Sequence, residues 1–114
     1  MIFTRGADGI ETLTDDGRRR LDVAMAQLSQ YPRSSPLVVE GYAARGDENA
    51  YLISLDRAQH VRDYVLNRFR RQATLTGVMP LSDAAIGSPA GNGSWAGVAL
   101  TMYVPNGALH QGSR

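Results

Sequence analysis

The side chains best suited to chemistry lie between Ser35 and Phe69, where a β-branched run leads through a polar loop into a long amphipathic segment. The pattern predicts a strand at Leu37–Val39 closed by Glu40 and Gly41, then a loop over Ala43–Asn49 that carries Gly46. A helix follows, with Ser54 as its N-cap and Asp56 and Arg57 in its first turn. A helix start offers unpaired N–H groups, and a guanidinium beside them adds a fork of charged donors. That combination suits capture of a small anion. Asp47 and Glu48, in the loop, supply carboxylates close to the same place. The competing reading makes Arg57 a surface arginine paired with Asp56, Asp47 or Glu48, an arrangement worth only about 0–1 kcal/mol.

Other reactive chemistry finds no footing. His60 and His110 are the only histidines, one in the helix and one in a polar tail, so neither a triad nor a metal-histidine cluster can be built. Glu40 and Asp47 do not form a glycosidase-type pair. There are no cysteines, which excludes disulfides, thiolate catalysis and cysteine-based zinc sites. Gly87–Gly93 is glycine-rich but lacks the Lys-Ser/Thr of a phosphate loop and reads as a connector. The expectation is a binding domain without catalysis or cofactor.

These residues must be held by a core, and the rest of the chain supplies one. Met1–Thr4 predicts a first strand, Arg5–Gly9 a turn, and Ile10–Leu13 either extends the strand or leads into a helix. Thr14 is a helix N-cap, with Asp15 and Asp16 against the dipole. Leu21, Ala24, Met25 and Leu28 form one apolar stripe, and Pro32 and Pro36 end the helix near Gln30 or Tyr31. Arg18, Arg19 and Arg20 read as a solvated face paired with Asp15, Asp16 and Asp22, or, more sharply, as an anion site.

Leu37-Val38-Val39 reads as a central strand buried on both faces. Ala58, Val61, Val65 and Phe69 are the buried stripe of the second helix, which stops by Arg71 or Gln72. Thr74–Val78 is a short strand, Pro80–Gly93 a long loop, and Val98–Val104 a last alternating strand opened by Trp95. Trp95 is either a core anchor or an exposed contact. The order β-α-β-α-β-β predicts an α/β two-layer sandwich with two helices on one face of a mixed sheet. Residues 1–104 form the domain and 105–114 a polar tail.

Composition agrees with one folded unit: 114 residues, 43% hydrophobic and 20% charged. Twelve basic and 11 acidic side chains give a net charge of +1, so there is no electrostatic case for nucleic acid or an anionic membrane surface. Apolar runs fall far short of the roughly 20 residues that span a bilayer, so this domain is not expected to insert. MIFTRGADG has no stretch of signal-peptide length. The chain is therefore expected to be cytoplasmic or a domain of a longer exported protein.

The element order and the residues of Val39–Leu66 resemble the OmpA-like C-terminal domain, the peptidoglycan-associating module of bacterial envelope proteins. That family ends a strand in Gly-His/Tyr-Thr-Asp and opens its second helix with Leu-Ser-x-Arg-Arg-Ala, followed by Val-x-x-Tyr-Leu. Here the strand ends Gly41-Tyr42-Ala43-Ala44, and the helix reads Ile53-Ser54-Leu55-Asp56-Arg57-Ala58, then Val61-Arg62-Asp63-Tyr64-Val65. Leu13, Gly17 and Leu21 are similar to the family's lead-in to its first helix.

The resemblance implies an envelope domain, in the periplasm and near the outer membrane, whose partner is the peptidoglycan peptide stem. In the family an Asp and an Arg grip the zwitterionic end of diaminopimelate. The Arg position is filled by Arg57, but Ala44 stands where the Asp belongs, and Asp56 replaces a neighbouring Arg. The implied ligand set is Arg57, Asp47, Asn49, Tyr42, Ala44 and Ser54, with Asp47 a substitute carboxylate. Wall binding is then weakened, altered or lost. In the last case the domain contacts another envelope protein. Trp95-Ala96-Gly97-Val98-Ala99-Leu100 also resembles the tail domains of some MCE-type (mammalian cell entry) lipid-transport proteins, which suggests one such parent.

Overall fold

The computed structural model describes residues 3–6, 10–44, 46–83 and 97–104. Among the described residues, five strands and two α-helices run in the order β1 (Phe3–Arg5), β2 (Glu11–Leu13), α1 (Asp15–Leu28), β3 (Leu37–Gly41), α2 (Ala50–Phe69), β4 (Thr76–Pro80) and β5 (Val98–Met102). β3 is central, parallel to β4 and antiparallel to β5, so the sheet is mixed as expected. The helices cover one face of it and complete the two-layer sandwich.

The N-terminal segment departs from the predicted order. It forms two short strands rather than one, and β1 and β2 pair as an antiparallel hairpin with a sheet of its own. Phe3 from this hairpin joins the core. Leu21 and Met25 of α1, Leu37 and Val39 of β3, and Ala58, Val61 and Val65 of α2 make up most of the remainder. Each large apolar side chain so buried stabilises the fold by about 1.5–3 kcal/mol.

α1 begins as expected. Gly17 N–H donates to Thr14 Oγ1 at 2.9 Å, and Asp15 and Asp16 occupy the first turn. It closes at Leu28, about two residues early. Arg18 pairs with Asp15, and Arg20 pairs with Asp16 at 2.9 Å. Asp22 turns instead to α2, accepting from the Tyr64 hydroxyl at 2.6 Å.

The predicted start of α2 is wrong. The helix begins at Ala50 after Asn49, whose side chain makes no capping bond. Ser54 is not a cap: it is fully buried inside the helix and donates its hydroxyl back to the Tyr51 carbonyl at 2.8 Å. Arg57 therefore sits about two turns into α2, away from the unpaired N–H groups. Three residues of the predicted buried stripe, Ala58, Val61 and Val65, are fully buried, whereas Phe69, in the last turn, is only half-buried and packs against the core from its edge. The helix ends at Phe69, and Arg70 closes it in the left-handed conformation with φ 53°.

Three strands also differ from expectation, the last of them, β5, ending at Met102 rather than Val104. β3 is buried on one face only: Leu37 and Val39 are fully enclosed, whereas Val38 and Glu40 are half-buried on the other side. A short 3-10 turn at Ala73–Leu75 pushes β4 two residues later than predicted. Trp95, His110, most of the Pro80–Gly93 connector and the 105–114 tail lie outside the described residues.

Candidate functional site

β3 runs out at Gly41, and its close contact with α2 is possible only without a side chain there. A Cβ on Gly41 would collide with the Ser54 carbonyl oxygen and lie 3.0 Å from the Ala58 Cβ. This approach brings the strand end beside the Arg57 face of the helix. Tyr42 and Ala43 follow, both buried.

Arg57 does not point into an empty hollow. Its Nε donates to Glu11 Oε1 at 2.9 Å and its Nη2 to Glu11 Oε2 at 2.8 Å, a two-pronged pair with a carboxylate of β2. Its Nη1 donates to the Tyr42 carbonyl at 2.8 Å. The Phe3 ring lies 5.5 Å from the guanidinium carbon. Both partners of the ion pair are mostly enclosed, at 13% and 11% side-chain exposure. The Arg57 hydrogen bonds hold the Glu11 carboxyl below its ordinary 4.5, against a smaller opposing effect of burial. Glu11 in turn raises the Arg57 pKa. The cluster ties hairpin, strand end and helix together.

The other candidate residues divide between two places. Ala44 is exposed, and its N–H donates to Asp47 Oδ2 at 3.1 Å, so the Asp47 carboxylate closes its own loop. Asp47 is near enough to favour the charged form of Arg57 but makes no ion pair with it. Asn49 and Glu11 line an open groove of about 640 Å³ between the hairpin and the first half of α2, with exposed Ile10 and Leu52 at its margin. Ser54 faces away and accepts from the Ser82 N–H at 3.0 Å. Thus Tyr42 and Arg57 meet, Ala44 and Asp47 meet, and Ser54 belongs to the link with the chain beyond β4. Among the described residues no group of three or more His, Asp or Glu side chains stands together as a metal site.

Glu11 was absent from the expected site. One signal for it exists in the sequence: Glu11 and Leu13 share a strand face, and Leu13 packs on the core. A carboxylate on an inward face needs a cation. Which cation cannot be read locally, because the partner lies 46 residues away.

No protein-family model matches the chain, and no curated protein matches it. Solved structures do. The C-terminal domain of Helicobacter pylori MotB superposes with a TM-score of 0.67 and 13% identity, over 96% of this chain and 88% of that one. The periplasmic domain of the same organism's MotB gives 0.63 and 12%, over 89% and 70%. The peptidoglycan-associated lipoprotein from Burkholderia pseudomallei gives 0.56 and 14%, over 82% and 81%. Identities this low establish likeness of fold, and the fold is the OmpA-like sandwich that the sequence resembled. No helix among the described residues is long and apolar enough to cross a membrane.

Proposed function

We propose that this is a non-catalytic attachment domain of the bacterial cell envelope, which keeps the fold of peptidoglycan-associating modules and has given up their diaminopimelate contact. It holds a larger exported protein in place by contact with another envelope protein. The observation that carries this reading is the Arg57–Glu11 pair, since the guanidinium that would receive the ligand's carboxylate already has one. Ala44 leaves the ammonium end of such a ligand unanswered, and Asp47 is engaged with its own loop. The likeness to a peptidoglycan-associated lipoprotein and to a periplasmic domain supports the envelope setting. On the Trp95–Leu100 resemblance, we propose an MCE-type lipid-transport component as the parent protein.

Sedimentation with purified cell-wall sacculi tests the reading, with a peptidoglycan-associated lipoprotein as positive control. The wild-type domain is expected to pellet no better than its Arg57→Ala variant. Saturable pelleting of the wild type that is lost in Arg57→Ala would overturn the proposal and restore wall binding as the function.

A further inference from the structure

A second pocket lies at the opposite end of the sheet, where β3 begins and α2 ends. It is about 210 Å³ in volume, with Met25, Leu28, Phe69 and Met102 as apolar walls and Arg33 and Arg71 among its polar ones. Both guanidiniums are held from behind by uncharged acceptors. Arg33 Nη2 donates to the carbonyls of Phe69 and Arg70, at 3.2 and 3.1 Å. Arg71 Nη2 donates to the Ser35 carbonyl at 2.7 Å, and its Nε to Thr76 Oγ1 at 3.4 Å.

Capping of the α2 terminus accounts for one nitrogen of Arg33. It does not account for a second arginine lining the same apolar cavity. Neither has a carboxylate partner among the described residues, unlike Arg57, Arg18 and Arg20. Arg33 Nε and Nη1 and Arg71 Nη1 are left without a protein acceptor there. Burial and, after it, the Arg33 charge lower the pKa of Arg71, a repulsion that a bound anion would relieve. Arginines already fixed by backbone carbonyls lose little freedom on binding. An inorganic anion would satisfy the charge but not the apolar walls.

We propose that this pocket binds small organic carboxylates with a compact apolar body, the carboxylate against Arg33 and Arg71 and the body against Met25 and Met102. The inference is independent of the Arg57 cluster and of the attachment role.

The methionine methyl groups make the test direct. Met25 and Met102 line the pocket, whereas Met79 lies on β4 beside Glu40, towards the far end of the sheet. The full chain, labelled with carbon-13 at its methionine methyls, is titrated by NMR with hexanoate, N-acetyl-leucine, 1-hexanol and inorganic phosphate. Hexanoate is expected to shift Met25 and Met102 saturably, with a dissociation constant of about 1 mM or below and Met79 unmoved. N-acetyl-leucine distinguishes a chain-terminal carboxylate from a free acid as the natural form; tighter binding of either identifies the source. The exposed Arg33→Gln change is expected to weaken the carboxylate about tenfold or more and to leave 1-hexanol unaffected. Absence of saturable shifts, equal binding of 1-hexanol, phosphate binding as well as hexanoate, or an unaffected Arg33→Gln variant would each overturn the proposal.

Discussion

Arg57 donates three hydrogen bonds inside the fold, two of them to Glu11, and this changes what its loss would mean. An exposed ion pair contributes little, but a mostly enclosed, two-pronged one leaves a poorly solvated charge when either partner is removed. Glu11→Gln keeps the shape and removes the charge, and is expected to cost about 2–3 kcal/mol at neutral pH. The pH dependence has a definite sign. Because Arg57 lowers the Glu11 pKa below 4.5, the stabilisation is fully present above that value and is lost as pH falls through the lower folded pKa. Urea unfolding of wild type and Glu11→Gln should therefore show a constant gap from about pH 5 to 8 that narrows in acid. A gap that persists unchanged to pH 2 would show that the charge on Glu11 contributes nothing.

At the scale of elements, what was legible in the sequence is what local rules control. α1 starts at Thr14 because its cap, its acidic first turn and its apolar stripe all act within a few residues. The start of α2 was hidden because Asn49 makes no side-chain cap, while Ser54, a good cap by type, sits inside the helix and serves a tertiary contact with Ser82. Val38 misled in a different way. A continuous β-branched run reads as doubly buried, but both helices lie on one side of the sheet, so only alternate residues are enclosed. The fold came through despite these errors because its core stripe in α2 was correctly placed. The Arg57–Glu11 pair did not, because it spans the chain and leaves no periodic trace. Gly41 joins the two levels: its type was legible as a strand end, its purpose only in the packing. Gly41→Ala must push α2 off β3 against the Ser54 backbone and Ala58, and is expected to cost about 3 kcal/mol. Thermal unfolding measures it, and a loss below about 1 kcal/mol would mean that the helix moves freely there.

Over the whole molecule the net charge is +1, so no broad field draws a partner and recognition must rest on particular contacts. On the proposed reading, two separate changes at the Gly41 end stand between this chain and a zwitterion-binding site. The guanidinium is occupied by Glu11, and the carboxylate expected at Ala44 is missing. Correcting one leaves the other in force, so the effects cannot add. Ala44→Asp alone restores a carboxylate while the guanidinium stays neutralised by Glu11. Glu11→Gln alone frees the arginine but offers nothing to an ammonium group. The double variant is expected to bind diaminopimelate about tenfold or more tighter than either single variant, a coupling typical of groups that share one ligand. NMR titration with free diaminopimelate measures it, with circular dichroism to verify that each variant remains folded. If the double variant gains nothing over the singles, the strand end no longer has the shape of the family's pocket. The proposed loss of the wall contact would then lie in the loop backbone rather than in two side chains.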